Sequence, residues 1–190
     1  MTLLMSGEPI EIREVSLRNK PAALIEASSK ATVPVLVLPD GEVIDESLDI
    51  MLWALNRNDP EGWLAGSDIA MVASNDGPFK HDLDRYKYPE RHASDPVAHR
   101  TAGLAMLGEY ETRLAETANL CRDTRSFADI AIMPFVRQFA ATDRAWFDEQ
   151  TLPLLKRWLA LHVGSPLFER AMARLGPWTP GDAPIHMTFE

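Results

Sequence analysis

A single cysteine, Cys121, in 190 residues excludes an internal disulfide and leaves too few thiols for a cysteine-rich metal site. Positive charge is also scarce: 19 Lys and Arg stand against 28 Asp and Glu, a formal net charge of −9. An acidic surface repels phosphates, so nucleic acid is not an expected partner. No apolar run approaches the roughly 20 residues needed to span a bilayer. Nor does a basic segment followed by an apolar one mark a secretory signal. These absences predict a cytoplasmic protein that does not engage membranes. Internal repeats and low-complexity stretches are lacking too. What is present is 46% hydrophobic residues, enough for one large core or two small ones.

Gly and Pro divide the chain. Residues 1–5 read as the tail of a helix closed by Gly7 and Pro9. Residues 11–15 alternate polar and apolar, a half-buried strand pattern. Pro21 opens a short helix through Ala27, and two short strands flank a turn at Asp40-Gly41. Residues 47–55 form an amphipathic helix with Leu48, Met51, Leu52 and Leu55 on one face. Asp59-Pro60 and Gly62 mark a linker. Beyond it the pattern is helical: 69–74 resuming through Tyr86 after Gly77-Pro78, then 96–119, 126–142, 152–163 and 166–175. The expected division is a small α/β domain over 1–55, a linker over 56–67 and an all-α domain over 68–190. The tail from Pro177 reads as coil.

The most informative stretch is Thr32-Val33-Pro34-Val35 through Asp45-Glu46-Ser47. A Val-Pro junction entering a strand predicts a cis bond, which only X-Pro adopts at low cost. The main chain of Val33 is then open to pair with an extended peptide. Glu46-Ser47 sits at a helix start, where free N–H groups and the positive dipole end favour a carboxylate. An open edge beside such a helix start suits a small acidic peptide.

Three segments in order resemble the glutathione S-transferase superfamily, in its omega-like and bacterial cysteine-type members: Leu17-Arg18-Asn19-Lys20-Pro21 with Ser29-Lys30-Ala31-Thr32-Val33-Pro34, then Asp45-Glu46-Ser47-Leu48-Asp49-Ile50, then Ser126-Phe127-Ala128-Asp129-Ile130-Ala131. The resemblance implies an incomplete thioredoxin-like domain followed by an all-α helical bundle, with glutathione as co-substrate and no metal. It implies that Val33, ahead of Pro34, pairs its backbone with the cysteinyl unit, that Ser47 receives the γ-glutamyl carboxylate, and that Glu46 receives the ammonium group. Lys20 would reach the glycyl carboxylate, with Lys30 as the other candidate. Phe79, Tyr86 and Tyr88 are expected to line a pocket for an unidentified electrophile or disulfide. Homodimers are the family's rule.

The family opens with a strand and a helix that this sequence lacks, and its catalytic cysteine or hydroxyl stands there, upstream of Met1. A helix N-terminus lowers a thiol's pKa, which explains that placement. Either Met1 is an internal residue of a longer product or the chain is a shortened relative. The expectation is a protein that binds glutathione for thiol transfer or conjugation but is inactive with this N-terminus. The alternatives are a non-enzymatic binding or scaffold protein of the same fold and an unrelated helical regulator.

Other residues read as structural. Ser126 and Asp129 are spaced as a capping box, with Asp45 read as a cap for the helix at Ser47. Residues 80–92, rich in His and carboxylates, show no metal-ligand spacing and predict a solvated face. The five tryptophans are expected as core anchors, and Cys121 as incidental.

Overall fold

Short acidic side chains and prolines set where several helices start. Asp68, Asp95 and Asp143 each accept a hydrogen bond from a backbone N–H in the following turn, at 2.9, 2.9 and 3.1 Å. Pro96 and Pro153 occupy first-turn positions, where the missing N–H costs nothing. The computed structural model describes residues 1–187. In order, the elements are α1 (Thr2–Ser6), β1 (Ile10–Ile12), α2 (Ala22–Ala27), β2 (Leu36–Val37), β3 (Val43–Ile44), α3 (Ser47–Arg57), α4 (Ile69–Ser74), a π-helical turn (Asn75–Phe79), α5 (Lys80–Lys87), α6 (Pro89–His92), α7 (Pro96–Arg113), α8 (Phe127–Thr142), α9 (Arg144–Glu149), α10 (Pro153–Val163), α11 (Pro166–Ala171) and β4 (Ile185–Met187). None of these helices is long and apolar enough to cross a membrane.

Packing separates two units, Met1–Pro60 joined by the chain from Pro166 onward, and Glu61–Ser165. The C-terminal segment from Pro166 packs with the first unit, not with Glu61–Ser165. The reason is β4. Residues 185–187, read from sequence as coil, pair antiparallel with β1 in the register Ile10 to Met187, Glu11 to His186 and Ile12 to Ile185. Upstream, the Trp178 N–H donates to the Glu14 carbonyl at 2.7 Å, and Arg13 lies 4.7 Å from the Trp178 ring centre. The hairpin expected at Asp40-Gly41 is present, with Leu36 opposite Ile44 and Val37 opposite Val43. Leu4, Leu24, Ile50, Ala54 and Leu55 form the buried centre of this unit. Asn58 Nδ2 donates to the Ser6 carbonyl at 2.8 Å, and Arg57 pairs with Glu8 at 2.9 Å.

In the second unit Phe139 of α8 is fully buried within a ring cluster: Tyr86, Phe79, Trp146 and Phe147 have centroids 5.2, 5.6, 6.2 and 6.5 Å away. Gly103 is why α7 can approach this cluster, since a Cβ there would lie 2.5 Å from Phe139 Cε2. The Ser126–Asp129 capping box forms as its spacing predicts. Helix α7 is shorter than expected. It stops at Arg113 because the following polar side chains bind backbone groups in place of the helical ladder. Thr117 donates to the Asn119 carbonyl, Asp123 accepts from the Ala118 N–H, and Asn119 Nδ2 donates to the Asp123 carbonyl. Arg122 ties the loop down with donations to the carbonyls of Gly62, Ala65, Thr124 and Arg125.

The buried His162 of α10 gives this unit a pH dependence. Its Nε2 lies 2.9 Å from Asn119 Oδ1, while Nδ1 has no hydrogen-bond partner. The Asn119 amide is oriented by its bond to Asp123, so Nε2 donates and the second proton would be buried without an acceptor. Desolvation accordingly lowers the His162 pKa below its ordinary 6.5, against an opposing pull from Asp129. The unfolded chain takes the proton more readily than the folded one. Stability from the neutral ring is therefore present above about pH 6.5 and lost as the pH falls below it. Urea unfolding between pH 7.5 and 5 should show a steeper loss for the wild type than for His162→Gln, which keeps a donor for Asn119. Parallel curves would assign the dependence to other groups.

Candidate functional site

The sequence points to the start of α3 and the segment before β2, and both belong to the first unit. Glu46 is the N-cap of α3, extended at φ −118°, and no side chain caps the helix. Asp45, expected to do so, instead accepts from Ser28 Oγ at 3.2 Å and Lys30 Nζ at 3.3 Å. It lies one residue too early and turns toward the 28–31 turn. The first N–H groups of α3 thus keep no side-chain acceptor, at the end of an 11-residue helix where the dipole is positive. Lys30 bridges both carboxylates, lying 2.6 Å from Glu46 Oε1. Hydrogen bonds to Glu46 first and Asp45 second hold its pKa above the ordinary lysine value. Ala31, between Lys30 and the Val-Pro segment, sits in the left-handed region at φ +48°. Such a conformation in a non-glycine residue clusters near functional sites.

The Val33-Pro34 peptide is cis, as the sequence predicts. Val33 is 45% exposed, and no described backbone hydrogen bond reaches residues 32–35. Among the described residues β1 has a strand only on its β4 side and β2 only on its β3 side. A cavity of about 510 Å³ is bordered by both, with Ile10, Ile12, Leu24, Val33, Leu36 and Ile50 in its lining. Glu46, Ser47 and Lys20 do not line it. Lys20 is exposed and has no described hydrogen-bond partner, whereas Lys30 is committed to Glu46 and Asp45. The Lys30 bridge was not legible in the sequence, because it joins residues 15 and 16 positions apart across a turn.

The three aromatic residues expected at an electrophile pocket lie in the second unit and differ in exposure. Phe79 is 0% exposed and Tyr86 8%, both packed on Phe139. Burial pushes the Tyr86 phenol pKa upward. Tyr88 is half-buried, with Arg91 4.1 Å and Lys87 4.9 Å from its ring centre. Cys121 is half-buried in the loop after α7.

The fold matches solved structures along most of the chain. BphK, a bacterial glutathione S-transferase in a ternary complex, superposes with a TM-score of 0.76 at 19% identity over 90% of both chains. A glutathione transferase family member from Pseudomonas fluorescens, solved with two glutathiones bound, gives 0.73 at 18% identity, over 89% of this chain and 85% of that one. Glutathione S-transferase III in its apo form gives 0.69 at 20% identity, over 94% and 91%. No curated protein sequence matches the chain. Residues 1–57 match the family model of the glutathione S-transferase N-terminal domain and residues 90–161 that of the C-terminal domain. With both domain models met in order and the two-domain fold shared along its length, the chain belongs to the glutathione S-transferase superfamily.

Proposed function

We propose that the chain binds glutathione at the start of α3, for thiol transfer or conjugation. The observation that carries this reading is the uncapped N-terminus of α3, with the Glu46 carboxylate and the Ser47 hydroxyl at its mouth. Ser47 and the free N–H groups take the γ-glutamyl carboxylate, and Glu46 takes the ammonium group. The unpaired main chain at Val33, ahead of Pro34, pairs with the cysteinyl unit. Lys20, exposed and uncommitted, takes the glycyl carboxylate, while Lys30 fixes the direction of Glu46. A structural neighbour that carries two glutathiones supports the ligand class. For the electrophile, Tyr88 is the ring of the three with free surface, whereas Phe79 and Tyr86 are buried against Phe139.

Recognition is the larger part of what these residues supply. The single thiol, Cys121, belongs to the second unit, in a loop pinned by Arg122, and we assign it no role in glutathione chemistry. A non-enzymatic glutathione-binding role is therefore the second reading, and the two are separated by turnover. Titration calorimetry should show glutathione binding, and an assay with a general electrophile or a glutathione mixed disulfide should show little turnover. The absence of binding heat would overturn the assignment, and ordinary transferase rates would remove the second reading.

We also propose a cytoplasmic homodimer. Exposed Leu17, Ile25, Val37 and Val43 give the first unit apolar surface for a second chain to cover. Light scattering giving a monomer mass across a wide concentration range would exclude it.

A further inference from the structure

We propose that His81, Asp82 and His99 form a binding site for one divalent transition-metal ion of the zinc class. His81 and Asp82 are neighbours on α5, and His99 lies in the first turn of α7. Both imidazoles converge on one carboxylate oxygen, with Nδ1 of His99 2.7 Å and Nδ1 of His81 3.3 Å from Asp82 Oδ1. The two rings meet edge to face, 5.6 Å between centres. One donor atom from each residue lies within 4.8 Å of the other two.

Zinc bonds to imidazole and carboxylate are about 2.0–2.2 Å long, which spaces donors in a tetrahedral shell roughly 3.3 Å apart. The 3.3 Å contact of His81 to Asp82 matches that spacing and the 2.7 Å contact of His99 is shorter, so small shifts of the two imidazoles complete the shell. The His81 ring is free to move, being 53% exposed and, among the described residues, hydrogen-bonded only to Asp82. Asp82 and His99 are held more firmly, at 17% and 20% exposure. Two cations of α5 are engaged elsewhere. Lys80 pairs with Asp76 at 3.2 Å, and Arg85 donates to the His81 carbonyl at 3.3 Å. The charge of Asp82 is thus left facing two neutral-capable nitrogen donors. Two imidazoles and one carboxylate suit zinc, cobalt, nickel or copper, and three protein donors leave a fourth position open to solvent.

Residues 80–92 read from sequence as a solvated face, because adjacent positions and a 17-residue separation match no ligand spacing; the α5–α7 contact brings the three side chains together. Metal-free full-length protein titrated with Co²⁺ alone should bind one equivalent, with visible absorption bands that Zn²⁺ abolishes. His81→Ala, at an exposed position, should weaken binding about tenfold or more with an unchanged circular dichroism spectrum. His99→Ala should do the same, and where it fails to fold, His81→Ala carries the test. His92→Ala and Cys121→Ser should bind as the wild type does. The absence of a cobalt spectrum, equal affinity in His81→Ala, or loss of binding in Cys121→Ser would overturn the proposal.

Discussion

Asp129→Ala should remove about 4 kcal/mol or more of unfolding free energy, because it strips four donors of one buried acceptor at about 1–3 kcal/mol each. The Asp129 carboxylate is 0% exposed. Its Oδ2 accepts from the Ser126 N–H at 2.8 Å and the Ser126 hydroxyl at 2.6 Å. Its Oδ1 accepts from the Leu120 N–H and from Trp158 Nε1, both at 2.9 Å. One side chain thereby joins the start of α8, the loop after α7 and the face of α10. Domains are stable by only about 5–15 kcal/mol, so the loss takes a large share of the total. Asn should recover part of it, since its carbonyl can serve Leu120 and Trp158 while its NH₂ meets the Ser126 N–H donor to donor. Ser126→Ala, which removes only the hydroxyl, should cost about 1 kcal/mol. Urea unfolding followed by near-ultraviolet dichroism orders the three. Asp129→Ala within 1 kcal/mol of wild type would mean that water or relaxation satisfies these donors.

What could be read ahead of the structure was local. Asp129 declares itself through its spacing from Ser126, the hairpin through Asp40-Gly41, and α7 and α10 through Pro96 and Pro153, because each signal acts within one turn. The misses are long-range or competitive. Strand β4 is three residues whose partner lies more than 170 positions away, and nothing in a Pro- and Gly-rich tail announces such a pairing. Arg144–Glu149 is too short for periodicity to reveal, although Asp143 does cap it. Residues 114–119 read from sequence as the end of the helix over 96–119, yet Thr117, Asn119 and Asp123 outcompete the ladder from their side chains. Near the candidate site, the cis bond before Pro34 and the helix start after Glu46 were legible because each signal acts on the adjacent backbone. The role of Lys30 was not, because it depends on how the 28–31 turn lies against Asp45 and Glu46.

That lysine also makes the second large effect interpretable. Glu46→Gln with Ser47→Ala should weaken glutathione binding by about 2.5–4 kcal/mol, from one charge-assisted bond of about 1.5–3 and one neutral bond of about 1. This is roughly sixtyfold to seven-hundredfold in Kd. A binding loss is attributable to lost contacts only if the fold is untouched. Glu46 and Lys30 are both largely exposed, at 59% and 52%, and such ion pairs contribute little to stability. Lys30 keeps Asp45 when Glu46 is neutralised. Ser47 caps nothing, so its hydroxyl can go without loosening α3. The double variant should therefore unfold at the wild-type temperature while its calorimetric affinity collapses. Lys30→Ala separates aim from contact: Glu46 keeps its charge but loses its tether, and binding should weaken by less than in the double variant. An unchanged affinity in the double variant, with the thermal transition also unchanged, would move the ligand away from α3.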